Sequence, residues 1–193
     1  MKIKFWKITL GFVFLTVFFA NLVQAGDNDL NIRELVKRDF EEISSLFIEA
    51  TEIPFRFPSY LSGYDWDGAT EAQAYYPHIW ELRPESYYLS LDGTPDCNGA
   101  TSCRFITLKA QAVGETALTN LIEEEGRKVT LVDGMTGVYL PSQCGGAGCS
   151  DSKLIFDLDG VRYTVGIKGG RANSVIDLGT SMINDPITKS DYD

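Results

Sequence analysis

Two Asp-Gly turns and two amphipathic helical stretches predict an α+β fold. It is a curved, antiparallel β-sheet with an N-terminal and a C-terminal helix packed on one face. Asp133-Gly134 and Asp159-Gly160 each lie between alternating apolar runs. Asp-Gly is a strong hairpin signal because both central residues of the tight turn take positive φ. Apolar residues recur at three and four through 31–50 and again through 174–183. That is the period of a helix with one buried face.

In the first helix Ile32, Leu35, Val36, Phe40, Ile43, Leu46, Phe47 and Ala50 form the apolar stripe. Asn31, with Glu34 three residues on, marks its start, and Pro54 marks its stop. Residues 54–92 then hold ten of the 17 aromatics that follow residue 25. Pro54, Pro58 and Gly63 break the first half of that section into short extended pieces, while 74–83 and 86–92 read as strands. Arg104 to Ala110 is a further strand, and Glu115–Glu125 is a short helix or polar insertion.

The second Asp-Gly turn pairs Leu158 with Val161, Asp157 with Arg162, Phe156 with Tyr163 and Leu154 with Val165. The same construction at Asp133-Gly134 groups Val129, Leu131, Val138 and Leu140 on one face. Val175, Leu178, Met182 and Ile183 point inward from the closing helix, and 185–193 reads as an acidic flexible tail.

The first 25 residues set the expected compartment. Lys2, Lys4 and Lys7 precede an apolar run from Ile8 to Ala20, and Val23-Gln24-Ala25 fits a small-residue cleavage site. The pattern is that of a secretory signal peptide removed after Ala25, leaving one α+β domain over 26–184. The destination is periplasmic or secreted. No later segment is apolar enough to cross a bilayer, so no membrane insertion is expected after cleavage. Without the three lysines of that segment, 14 basic residues face 27 acidic ones, a net charge of −13 over 168 residues. Such a chain repels nucleic acid, because phosphate binding requires clustered Lys and Arg.

Four cysteines occupy two connections between strands: Cys97 and Cys103 in "CNGATSC", Cys144 and Cys149 in "CGGAGC". Export makes pairing the default. Of the three possible connectivities, the local one, Cys97–Cys103 with Cys144–Cys149, requires no assumption about the fold. If the sheet is a simple meander, the two loops fall at opposite ends. A crossover through 111–127 would bring them to the same end. A zinc site would require shorter spacers. A redox dithiol would require Cys-x-x-Cys at a helix start, whereas Ser150-Asp151 puts negative charge beside Cys149.

The combination of "DCNGATSC", the segment "LPSQCGGAGCSDSKLIFDLDGVRYTVGIK" and the helix "SVIDLGTSMI" resembles a group of exported, largely cyanobacterial proteins of unknown function, over roughly residues 50–184. The closing hairpin and helix are more loosely similar to an extracytoplasmic domain of unknown function. That domain is related to the curved-sheet carriers and sensors of lipoproteins. Neither resemblance implies a catalytic residue.

The residues themselves offer little chemistry. His78 is the one histidine, and no nucleophile-elbow motif accompanies it. "DWDG", Asp65 to Gly68, resembles the opening of a calcium loop, but the closing glutamate position is Tyr76. "GIKGGR", Gly166 to Arg171, lacks the P-loop spacing. No catalytic residue, metal site or cofactor is therefore expected. The leading expectation is a non-catalytic domain that binds a protein or small-molecule partner, with Tyr64, Trp66, Tyr76 and Trp80 as the candidate surface. Two alternatives stand beside it: a carrier of a hydrophobic ligand in the curved sheet, and a hydrolase using Asp65, Asp67 or His78. Within the aromatic section, Phe55 to Trp66 is expected to cover the second face of the 74–83 strand and put Trp80 in the core. N-terminal sequencing of the exported form should begin Gly26-Asp27-Asn28, and an intact Met1 in a membrane fraction would overturn the cleavage.

Overall fold

The computed structural model describes residues 30–31, 40–61, 75–97, 102–113, 118, 126–146 and 148–185. The signal segment, the first half of the predicted N-terminal helix, Tyr64, Asp65, Trp66, Asp67, most of the 115–125 insertion and the tail beyond 185 lie outside the described residues.

The chain begins with a two-residue strand β1 (Leu30–Asn31), a helix α1 (Phe40–Ala50) and a second short strand β2 (Tyr60–Leu61) paired with β1. Three longer strands follow: β3 (Tyr76–Arg83), β4 (Ser86–Asp92) and β5 (Arg104–Ala112). Next come β6 (Arg127–Thr130), β7 (Thr136–Leu140), the two-residue strands β8 (Cys144–Gly145) and β9 (Gly148–Cys149), β10 (Asp151–Leu158) and β11 (Val161–Lys168). Helix α2 (Ala172–Asn184) ends the described chain. The fold is α+β, with a seven-stranded antiparallel sheet in the order β3-β4-β5-β11-β10-β7-β6. No helix among the described residues is long and apolar enough to cross a membrane.

This order is not a simple meander. β3-β4-β5 run as one, but the chain then crosses to the far edge at β6 and works back until β11 lies against β5. The start of β5 therefore shares an end of the sheet with the start of β10, since Ile106 pairs with Ile167 and Lys168 with Asp151. Both cysteine loops hang from that end, yet both disulfides are local, Cys97–Cys103 and Cys144–Cys149. Cys144 and Cys149 are direct cross-strand partners in the β8–β9 ladder. The crossover brought the loops together; the backbone geometry of each loop kept the pairing within it.

The Asp159-Gly160 hairpin has the predicted register, with both turn residues at positive φ. The Asp133-Gly134 hairpin departs from it by one residue. Its turn forms, with the Met135 amide bonded to the Val132 carbonyl, but the Leu131 amide also donates to the Met135 carbonyl. Leu131 and Val132 thus both stand opposite Met135, a bulge that pairs Val129 with Gly137 instead of Val138. Because side chains alternate, Val129 and Leu131 go to the helix-covered face while Val138 and Leu140 take the other. Leu131 fills the space that Gly137 leaves by having no side chain.

α1 and α2 cover the same face of the sheet. Phe47 of α1 meets Tyr87 of β4, and Val175, Leu178 and Met182 of α2 are fully buried. Gly179 allows α2 to approach so closely that a Cβ there would collide with Leu154. Two expectations for the N-terminal region are corrected. Asn31 lies in β1 instead of starting the helix, and Leu46 is exposed because it falls outside the arc that reaches Phe55 and Tyr87.

The extended segment 54–59 is threaded between the two helices and the sheet, with Phe55, Arg56, Phe57 and Pro58 all buried. Buried irregular backbone must find partners from side chains. Tyr163 Oη donates to the Pro54 carbonyl, the Arg56 amide donates to Tyr87 Oη, and the Ser59 amide donates to Ser181 Oγ. Tyr87 Oη in turn donates to the Arg56 carbonyl. Burial pushes the Tyr87 phenol well above its ordinary 10.0. A raised phenol contributes stability that is complete below the unfolded value and declines as pH rises above it. Tyr87→Phe should cost about 1–3 kcal/mol by leaving the Arg56 amide and carbonyl unpaired. It should also flatten the alkaline loss of stability above pH 10.0. Denaturant unfolding of both proteins at neutral and alkaline pH checks this; parallel pH profiles would contradict it.

Candidate functional site

The face opposite the helices is set by the strand registers. In β3 and β4, Pro77 pairs with Leu91 and Ile79 with Leu89 on the helix side. Tyr76 pairs with Asp92, His78 with Ser90 and Glu81 with Tyr88 on the other side. The register slips between Ile79 and Glu81, which makes Trp80 the extra residue of a β-bulge. A bulge re-aims a side chain. Trp80 stands with His78 and Tyr88 on the face opposite α1 and α2, and the slip after it turns Leu82 to the helix side and Glu81 away from it.

Trp80 is 40% exposed and Tyr76 38% exposed. The expected core position for Trp80 is therefore wrong. Phe55 and Phe57 do not cover this strand, because they pack with Phe47 and Tyr87 on the helix side. Trp80 is exposed but held. Its indole N–H donates to Ser90 Oγ at 3.0 Å, its ring lies 5.9 Å from Tyr88 in a stacked pair, and His78 meets it edge-on at 4.4 Å. Ser90, fully buried, in turn donates its hydroxyl hydrogen bond to Asp92 Oδ1 at 2.8 Å.

Ser90, His78 and Asp92 thus lie close together, and their order decides what they can do. In a catalytic triad the serine donates to the imidazole, which is oriented by the acid. Here the serine donates directly to the carboxylate, and its oxygen is capped by Trp80. A nucleophile that is fully buried and bonded to an acid is a bracket for the indole. Of the sequence-predicted surface residues, the fold brings Tyr76 and Trp80 onto one face with His78; Tyr64, Asp65, Trp66 and Asp67 lie outside the described residues. Tyr88, Ser90 and Asp92 were not singled out in the sequence, although pairing 86–92 against 74–83 puts them on this face.

Charged residues border the shelf. Glu81 accepts a hydrogen bond from Ser86 Oγ at 2.6 Å and lies near Arg83 and Lys109. At the sheet end carrying the cysteine loops, Arg104 Nη2 bonds Asp151 Oδ2 at 3.0 Å, and Thr107 also donates to that carboxylate. Among the described residues no three His, Cys, Asp or Glu side chains are grouped to hold a metal ion.

Comparison of the chain with protein-family models, with curated proteins and with solved structures finds no match. The site therefore rests on its own geometry.

The Ser86 hydrogen bond, opposed by desolvation and helped to a smaller extent by the Arg83 and Lys109 charges, holds the Glu81 carboxyl below its ordinary value. A depressed carboxyl contributes stability above its unfolded value and loses it as pH falls through the folded one. Ser86→Ala should move the Glu81 midpoint upward. Side-chain carboxyl NMR across an acid titration reads this directly, and an unmoved midpoint would contradict the assigned cause.

Proposed function

We propose that the protein is an exported, non-catalytic binding module whose ligand docks on the Tyr76–Trp80 shelf. The observation that carries this reading is an indole that is 40% exposed yet fixed by three contacts. An aromatic ring left in water is ordinarily free to turn; one braced by a buried Ser–Asp pair is ready to bind without first losing rotamer freedom. Export is supported by the basic-then-apolar N-terminus and by the two disulfides. The two cysteine loops that carry the resemblance to exported bacterial proteins are both present as closed loops. A binding surface is favoured over a carrier cavity because Phe47, Phe55, Phe57 and Tyr87 fill the space between helices and sheet with their own rings.

Trp80→Ala separates a binding ring from a packing ring. At the shelf it should lower stability by about 1 kcal/mol, against the roughly 3–5 kcal/mol typical of a core aromatic. Native mass spectrometry of the protein taken from an extracytoplasmic extract should show a bound mass that the variant lacks. A variant that unfolds as a core mutant, or that keeps the bound mass, would refute the shelf.

A further inference from the structure

The two disulfides stand in unlike surroundings. Cys97 is 5% exposed, whereas Cys144 is exposed and Cys149 half-buried. The tip of the second loop is rich in glycine. A Cβ at Gly145, Gly146 or Gly148 would meet nothing within 4 Å among the described residues. No bulk shields that tip.

The second loop also has a base that does not depend on its sulfurs. The Ser150 amide donates to the Gln143 carbonyl at 2.9 Å, and the Gln143 amide donates to Ser150 Oγ at 2.9 Å. Ser142 Oγ donates to the Ser150 carbonyl at 2.6 Å. These three bonds close the loop immediately below the Cys144–Cys149 pair, and the strands beneath, β7 and β10, are held by their own ladder. Opening the bridge leaves the sheet with all its partners.

The sequence argues against redox chemistry here because Ser150-Asp151 puts a negative charge beside Cys149. The structure commits that charge elsewhere. Asp151 is buried and accepts hydrogen bonds from Arg104 Nη2 at 3.0 Å and Thr107 Oγ1 at 3.4 Å. From Ser142 to Ser150 the loop has no charged side chain of its own to repel a thiolate. Exchange requires a thiolate to reach one sulfur and the other sulfur to leave as a thiolate. At Cys97–Cys103 both requirements are opposed. Burial blocks attack on Cys97, and attack on Cys103 would release Cys97 as a poorly solvated buried anion. At Cys144–Cys149 the exposed Cys144 can be reached.

We propose that Cys144–Cys149 is a thiol–disulfide exchange site, opened in the folded protein by a dithiol reductant, while Cys97–Cys103 is the permanent staple. One thiolate of the dithiol attacks Cys144 Sγ, forms a mixed disulfide and releases Cys149 as a thiolate. The second thiolate of the dithiol then attacks its own partner sulfur and expels Cys144. The dithiol leaves as a disulfide, its two electrons reduce the bridge, and its two protons end on Cys144 and Cys149. The closed base keeps the two cysteines opposite each other, so reoxidation restores the same pair.

The test exposes the folded, secreted protein to graded dithiothreitol in native buffer, blocks free thiols with iodoacetamide and maps the cysteine peptides by mass. Cys144 and Cys149 should be alkylated roughly tenfold faster, or more, than Cys97 and Cys103. The far-ultraviolet circular dichroism spectrum should not change as they open. With oxidised glutathione added after the reductant is removed, Cys144–Cys149 should re-form; with reduced glutathione as a monothiol probe, the adduct should sit on Cys144. Equal rates, earlier opening of Cys97–Cys103, an adduct confined to Cys149, re-formation of a scrambled pair, or loss of the fold as the second loop opens would each overturn the proposal.

Discussion

Arg56 is the residue on which the packing of the helix layer depends. Its guanidinium donates from Nη1 to the carbonyls of Met182 at 3.0 Å and Ile183 at 3.1 Å, in the last turn of α2. Those carbonyls have no partner within the helix, and the negative end of the helix dipole favours a cation there. The same group lies 5.7 Å over the Tyr163 ring and 3.6 Å from Asp159. One side chain thus ties the end of α2 to the β10–β11 hairpin, while its backbone is bonded in both directions to Tyr87 of β4. The Asp159 pairing contributes little, because that carboxylate is 71% exposed and well solvated. The two buried carbonyls matter more. Nε, by contrast, is buried and finds no acceptor among the described residues, a local cost that the other contacts offset.

This closure explains why the two faces of one sheet have different chemistry. On the helix side Phe47, Phe55, Tyr87, Tyr163 and Phe156 form a continuous aromatic core. On the other side the register sets the buried polar residues Ser90, Asp92, Thr107 and Asp151, which form short chains of hydrogen bonds, beside Val138 and Ile155. Trp80 shares the face opposite α1 and α2 with Tyr76 and His78 by simple alternation, and it is exposed because Phe55 and Phe57 pack on the helix side instead of over it. It is steady because a buried polar pair beneath it satisfies its N–H.

Much of the fold was legible in the sequence, and the failures have identifiable physical causes. Asp159-Gly160 fixed its hairpin because a tight turn with two positive φ values permits one register, and alternation then sorted Leu154, Phe156, Tyr163 and Val165 to one face. Asp133-Gly134 has the same dipeptide but a different outcome, because Leu131 bulges onto Gly137, and glycine's missing side chain carries no periodic signal. Trp80 was assigned to the core by its size, which is usually sound. Alternation set it on one face with Tyr76 and His78; what failed was the expected cover, because period two does not say on which side of the sheet the segment at 54–59 packs. The crossover after β5 was equally hidden, since the local pattern of β6 and β7 says nothing about which strand they join. Arg56 is a single charged residue between two phenylalanines, and only its distant partners, Met182 and Ile183, reveal what it does.

Arg56→Met tests this account most directly. Methionine keeps the length and apolar contact over Tyr163 and leaves the backbone bonds to Tyr87 intact, but it cannot reach the two carbonyls. Replacing a buried charge by an apolar residue is often neutral when its partner is removed as well; here the partners are backbone and remain. Equilibrium urea unfolding should therefore show a loss of about 2–4 kcal/mol. Arg56→Lys should recover only part of it, because an ammonium lacks the planar fork that meets adjacent carbonyls while lying over a ring. An Arg56→Met protein within about 0.5 kcal/mol of the parent, a size ordinary for surface substitutions, would show that the helix layer is held without the arginine and would contradict its central place.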